Sequence, residues 1–288
     1  IKMLKLFTPV IIGMSVGPIN LLVDYSFARC LEAGSVSALW YATRIYQLPL
    51  GIFTISLATV LLPHLSGDIA KKNFDMVKEN IHKGIEQTIF FLIPSAISIS
   101  IFRKEIVELL FKRGAFTDYS VSITAYPLMF FNIGLVFYGA AIIITRAFYA
   151  HHDTTTPVKI GLISIAINVV LDFILMQFMG HGGIALSTSL VGMGNFLLLS
   201  WLFKRKFHLI EQTRIIKSFL RILSISIGWG IILELIRRLF LPTGLVITVI
   251  GGIIIAMVLY IIFAIIFKFP EIYDLRIFKW KILSYFSS

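Results

Sequence analysis

The length of its apolar runs constrains this chain more than any other feature. Eight of them stand in order at Phe7 to Leu31, Tyr46 to Leu65, Ile85 to Phe102, Ala125 to Phe148, Val158 to Met179, Gly183 to Phe203, Phe219 to Ile236 and Leu245 to Phe267. A helix crossing the hydrocarbon core of a bilayer needs about 20 such residues, whereas barrel strands alternate polar and apolar over about ten. Only 14% of the 288 residues are charged, against about 25% in a soluble domain. The expected fold is therefore an all-α, polytopic membrane helix bundle of about eight transmembrane helices.

In such a protein the formal charge of +11 has to be read by position, and it does not point to nucleic acid. Eight spans leave both ends on one side. That side then carries 18 of the 26 Lys and Arg residues, among them Lys71, Lys72, Lys78, Lys83, Lys204, Arg205 and Lys206. Basic residues accumulate on the cytoplasmic side, so both termini are expected there. One cysteine, Cys30, excludes an internal disulfide and a thiolate metal cluster, and it reads as a small apolar residue in a helix.

Polar residues inside the apolar runs are the candidates for function, because a charge in the bilayer interior costs about 2.5 to 3.5 kcal/mol on insertion scales. The stretch Tyr41 to Ser66, YATRIYQLPLGIFTISLATVLLPHLS, sets Arg44 and Pro49 at the mouth of an apolar run that Pro63 closes. Arg44 either snorkels to the interface or faces a polar cavity. Tyr41 and Gln47, three residues to either side, are placed to frame it. The first span carries Gly13, Gly17 and Pro18, which predict a kink or break, and then Asn20 and Asp24. Asp24 is either a functional group or the interfacial partner of Arg29. The segment from Gly67 to Lys83 has the mixture of a short interfacial helix, and Glu105 to Asp118 reads as a short helix on the outer side stopped near Gly114.

The fourth and fifth spans are joined by RAFYAHHDTTTPVK, where Asp153 or one of Thr154 to Thr156 can cap the fifth helix and Pro157 suits its first turn. His151, His152 and Asp153 are the local metal or acid-base candidate, which a membrane-embedded enzyme such as a polyprenyl-phosphate transferase would need. Asn168 and Asp172 are four residues apart and share a helix face. With Asp24 and the hydroxyls of Ser187, Thr188 and Ser189 they make a set of hard oxygen donors suited to a small hard cation. The same groups could equally hydrogen-bond across neighbouring helices. The last two spans carry little polarity beyond Glu234.

Three blocks, YATRIYQLPLGIF with ATVLLPHLS, ELLFKRGAFT, and RAFYAHHDTTTPVKI, together resemble the MurJ (MviN) family of lipid II flippases in the multidrug/oligosaccharidyl-lipid/polysaccharide exporter superfamily. The resemblance implies two six-helix lobes around a central cavity followed by a terminal helix pair that borders a groove for the lipid tail. On that pattern residues 1–210 are the second lobe, 211–288 the terminal pair with a cytoplasmic tail, and the chain, which opens on Ile1, is a fragment lacking the first lobe. The resemblance further implies that Arg44 binds the anionic head group of the substrate. It also implies that Asp24, Asn168, Asp172 and Thr188, with the backbone carbonyl of Ile184, form the sodium site found in some members. The expected activity is flipping of lipid II across the bacterial plasma membrane by alternating access, with no catalytic residue and no cofactor other than a sodium ion. The expected partners are lipid II, membrane lipid and the missing lobe. An exporter of another lipid-linked sugar is the nearest alternative.

Overall fold

The computed structural model describes residues 2–240, 244–267 and 269–271, with side chains from Gly13 onward except Met14. Pro242 and the tail beyond residue 271 lie outside the described residues. The chain forms α1 (Lys2–Ala28), α2 (Ser35–Pro49), a π-helical segment (Leu50–Ile55), α3 (Ser56–Ala70), α4 (Phe74–Ile101) and α5 (Arg103–Phe111). These are followed by α6 (Asp118–Ala150), α7 (Thr155–Met179), α8 (His181–Phe207), α9 (Gln212–Phe240), a second π-helical segment (Ile247–Gly251) and α10 (Gly252–Ile266). Seven helical stretches among the described residues are long and apolar enough to cross a membrane, and they correspond to the second to eighth expected spans. The first expected span falls in α1, a 27-residue helix.

Three local expectations change. Residues 35–70 run as one helical stretch, so Pro49 and Pro63 do not bound the second span. Pro49 has no N–H to give to the preceding turn, and the widened π-helical turn that follows it, Leu50–Ile55, absorbs the mismatch without ending the helix. Arg44 consequently lies within this continuous helix, nine residues from its start at Ser35, roughly 14 Å along the axis at 1.5 Å per residue. The helix α1 passes through Gly17 and Pro18 unbroken. The expected interfacial helix between Gly67 and Lys83 is instead the end of α3, a tight turn with Lys72 at φ 55°, and the start of α4, capped where Asn73 Oδ1 accepts from Met76 N at 3.2 Å.

The helix α6 forms the centre of the bundle, packed against α2, α3, α4, α5 and α8, while α7 lies on α1 and α8. A Cβ on Gly134 of α6 would stand 2.5 Å from Ser189 Cα. A glycine there lets the two backbones approach closely, as membrane helices require when hydrocarbon offers no hydrophobic drive. The polarity of α7 is turned inward: Gly161, Ser164, Asn168 and Asp172 are buried, whereas Val170, Phe173 and Phe178 on the other side are more than half exposed. Such an arrangement is stable only in an apolar solvent, which fits the membrane reading of the composition.

The last two spans are less featureless than their sequence implies. Arg214 of α9 donates to Glu79 (2.6 and 3.2 Å) and Glu86 (2.7 and 3.0 Å) of α4, and Glu211 pairs with Lys78. At the other end of α9, Arg237 holds Glu105 at 2.5 Å. The helix α10 is tied in by Tyr260 Oη donating to Phe90 O at 2.9 Å and by Trp229 Nε1 donating to Ala256 O at 3.2 Å.

Candidate functional site

Three helices converge on one buried group of oxygens. Asp24 of α1 is 2% exposed, and Asn168 and Asp172 of α7 are both 0% exposed. Asp24 Oδ1 accepts from Asn168 Nδ2 at 3.1 Å and Asp24 Oδ2 from Thr188 Oγ1 at 3.1 Å. Thr188 Oγ1 also lies 3.2 Å from the carbonyl of Ile184, one turn back on α8. Asn168 Nδ2 reaches Ser187 Oγ at 3.4 Å. The residues predicted from the sequence, Asp24, Asn168, Asp172, Ile184 and Thr188, are thus gathered in one place although Asp24 and Thr188 are 164 positions apart. Asp24 has these partners and not Arg29. Ser189 does not belong to the group, because its hydroxyl donates to Phe130 O at 2.7 Å on the α6 side.

The group is under-satisfied on the acceptor side. Asn168 Oδ1 and both carboxylate oxygens of Asp172 have no hydrogen-bond partner, although buried polar atoms are nearly always paired. Asp24 and Asp172 lie close enough to interact directly. Two carboxyl groups side by side in a dry interior require a positive charge between them or a shared proton. The unpaired atoms are all hard oxygens, the donor type that a small hard cation takes, so the residues present fit a sodium ion. Among the described residues no three His, Cys, Asp or Glu side chains gather as a metal cluster, so any cation here rests on two carboxylates and neutral oxygens.

The surroundings of the group include residues that the sequence reading did not single out. Tyr138 of α6 and Tyr46 of α2 both lie within electrostatic reach of Asp24. A lone tyrosine in an apolar run gives no periodic signal. The nearest hint is Gly192 of α8, where a Cβ would stand 2.5 Å from the Tyr138 ring.

Arg44 is exposed on α2, and its guanidinium lies over the Trp40 ring at 4.9 Å. Among the described residues it makes no ion pair. Its framing differs from expectation: Tyr41 packs tilted against Phe111 at 4.6 Å and edge-on against Phe116 and Trp40 at 5.3 and 5.1 Å, and Gln47 interacts with Tyr46. Trp40, one full turn before Arg44, shares its face instead.

The alternative metal candidate does not converge. His151 Nδ1 lies 3.0 Å from Ala147 O and its ring packs on Phe207 at 4.2 Å. Asp153 caps α7, accepting from Thr156 N at 3.0 Å and Thr156 Oγ1 at 2.7 Å, and it pairs with Lys206 at 2.7 Å.

The chain is thus a bundle of helices long and apolar enough to cross a membrane, with polar side chains of α1, α7 and α8 turned inward. The same fold is seen in the outward-facing conformation of a multidrug resistance MATE family transporter of the MOP superfamily, at a TM-score of 0.61 and 16% identity over 91% of this chain and 64% of that one. The chain belongs to the lipid II flippase MurJ family, whose family model matches residues 1–254. A solved structure of lipid II flippase MurJ in an inward closed conformation superposes with a TM-score of 0.79 and 33% identity, over 93% of this chain and 55% of that one. The relative named "Probable lipid II flippase MurJ" in Vibrio cholerae is 35% identical over 69% of this chain and 38% of its own length. Its namesake in Thermotoga maritima is 32% identical over 94% of this chain and 54% of its own. The chain spans about half or less of the length of these relatives.

The Asp153 cap makes a measurable contribution of its own. Burial works to push its carboxyl up, but the bonds from Lys206, Thr156 and Thr155 outweigh it and hold the group at about 2. An unfolded Asp titrates near 3.9, so the folded value is the lower one. Its stabilising contribution is therefore complete above about pH 4 and lost as the pH falls through about 2. Asp153→Ala is expected to cost about 1 kcal/mol in detergent-solubilised thermal melts at neutral pH and to lose that deficit in acid.

Proposed function

We propose that this chain acts as the second lobe and terminal helix pair of a flippase that moves lipid II across the bacterial plasma membrane by alternating access. The match of the MurJ family model to residues 1–254 carries this reading. On this division residues 1–210 form the lobe and 211–288 the terminal pair, with both termini cytoplasmic. The lobe works against a partner lobe. The polar head of the substrate passes along the face that presents Arg44 while its polyprenyl tail stays in lipid. No bond of the substrate is made or broken, so we assign no catalytic residue.

Arg44 supports this reading by its place. A guanidinium exposed on α2 and without a carboxylate partner among the described residues is available to an anionic ligand. Its planar fork grips a diphosphate through paired charge-assisted bonds that a lysine reproduces less well. Asp24, Asn168, Asp172, Thr188 and the carbonyl of Ile184 would hold a sodium ion. When bound, the ion supplies positive charge that joins α1, α7 and α8. The residues themselves do the rest: Asn168 and Thr188 orient Asp24, and the burial of Asp172 keeps water from replacing the ion.

In the full-length protein Arg44→Ala is expected to abolish lipid II flipping while expression and insertion persist, and Arg44→Lys to be impaired; normal flipping by Arg44→Ala in cells without a substitute flippase ends the assignment. Sodium chloride is expected to raise the melting temperature of the wild type above that in potassium chloride, and Asp172→Asn to remove the difference without unfolding the protein. Single cysteines at Asp75 and Asp118 are expected to label from opposite sides of the membrane, and labelling from one side overturns the orientation.

A further inference from the structure

Asn20 stands one turn before Asp24 on α1, so the two side chains share a face. It is 5% exposed, and its Oδ1 makes no hydrogen bond. The side chain lies beside the hydroxyl of Tyr138, whose ring occupies the space left by the missing side chain of Gly192 on α8. On α7 the corresponding turn carries Ser164, also buried at 5% exposure. Beyond this level the interface becomes apolar and tight: a Cβ on Gly161 would stand 2.8 Å from Val16, and one on Gly13 would stand 3.1 Å from Val158. The polar surface between α1 and α7 therefore extends one turn past Asp24 and Asn168 toward the start of α1 and then stops.

We propose that Asn20 Oδ1 and the Tyr138 hydroxyl form a second oxygen-lined position beside the Asp24 and Asp172 set, which a cation passing to or from that set occupies. The inference rests on the cation reading of that set. The buried amide oxygen stays unpaired although a hydroxyl stands beside the side chain, and such an acceptor calls for an explanation. A cation satisfies such an acceptor while it sheds its own water, and an oxygen one turn from the carboxylates lets that shedding proceed in two steps. Gly192 supports the same position by making room for the Tyr138 ring. Neither Asn20 nor Tyr138 hydrogen-bonds to Asp24 in the resting arrangement, whose oxygens are held by Asn168 and Thr188, so the two levels are distinct.

The test measures sodium affinity and sodium exchange separately, in the purified full-length protein, by the sodium chloride dependence of the melting temperature and by ²³Na exchange broadening. Asn20→Leu and Tyr138→Phe are the variants; the second keeps the ring against Gly192 and serves if the first fails to fold. The expected result is a sodium affinity within about threefold of wild type with exchange slowed at least about tenfold, and partial recovery in Asn20→Ser, which restores an oxygen. Unchanged exchange overturns the proposal and leaves an ordinary water at Asn20. A weakened affinity with faster release also overturns it, because Asn20 is then a direct ligand of a single site. Absence of any sodium response in the wild type removes the cation reading itself, and with it this inference.

Discussion

The interaction on which the lobe depends is the pair of hydrogen bonds that Asp24 accepts from Asn168 and Thr188. They join α1 to α7 and α8 across a buried interior. Membrane helices gain little from burying apolar surface against one another. Directed polar contacts of this kind therefore do much of the work of choosing which helices meet and at what rotation. The cost is an excess of acceptors, with Asp172 and Asn168 oxygens left unpaired. A structure that keeps such atoms in its core does so either through a bound ion or at a loss in stability.

Around this point the bundle is arranged by size. Gly134 and Gly192 let α6 lie against α8 with Tyr138 wedged between the backbones, and that wedge places a phenol hydroxyl near Asn20 and Asp24. Charge does the equivalent work at the ends of α9. The Arg214 to Glu79 and Glu86 contacts lie at one end and Arg237 to Glu105 at the other, where side chains reach the interface and the desolvation cost is smaller. His82 adds to the first of these. It is fully buried, and its Nε2 accepts from Glu211 N at 2.9 Å while Nδ1 donates to Lys78 O at 2.7 Å. The helix α9 is thus tied to α4 and α5 near its ends, while Trp229 and Tyr260 fix α10 from within the helices.

Some of this was legible in the residues alone. The helical class, the number and order of the spans and the inward face of α7 follow from hydropathy and from the spacing of Asn168 and Asp172, both local properties. Arg44 stood out for the same reason, as a charge in an apolar run. The course of the helix past Pro49 was misread because prolines commonly end helices, and nothing in the sequence reveals that a π-helical turn absorbs Pro49. Ser187 and Ser189 could not be told apart, since two residues apart on a helix they face opposite helices, and which of these carries Asn168 is a question of packing.

What the sequence by itself determined is therefore the solvent, the secondary structure and the list of polar groups that must be accommodated: helix period and transfer energy act residue by residue. What only the tertiary structure decided is which of those groups meet. Asp24 and Thr188 lie 164 positions apart, Arg214 and Glu79 lie 135 apart, and Tyr138 gains its meaning only from the space at Gly192. Such contacts depend on the rotation and crossing of whole helices, quantities set by the sum of many side-chain volumes and carried by no single residue.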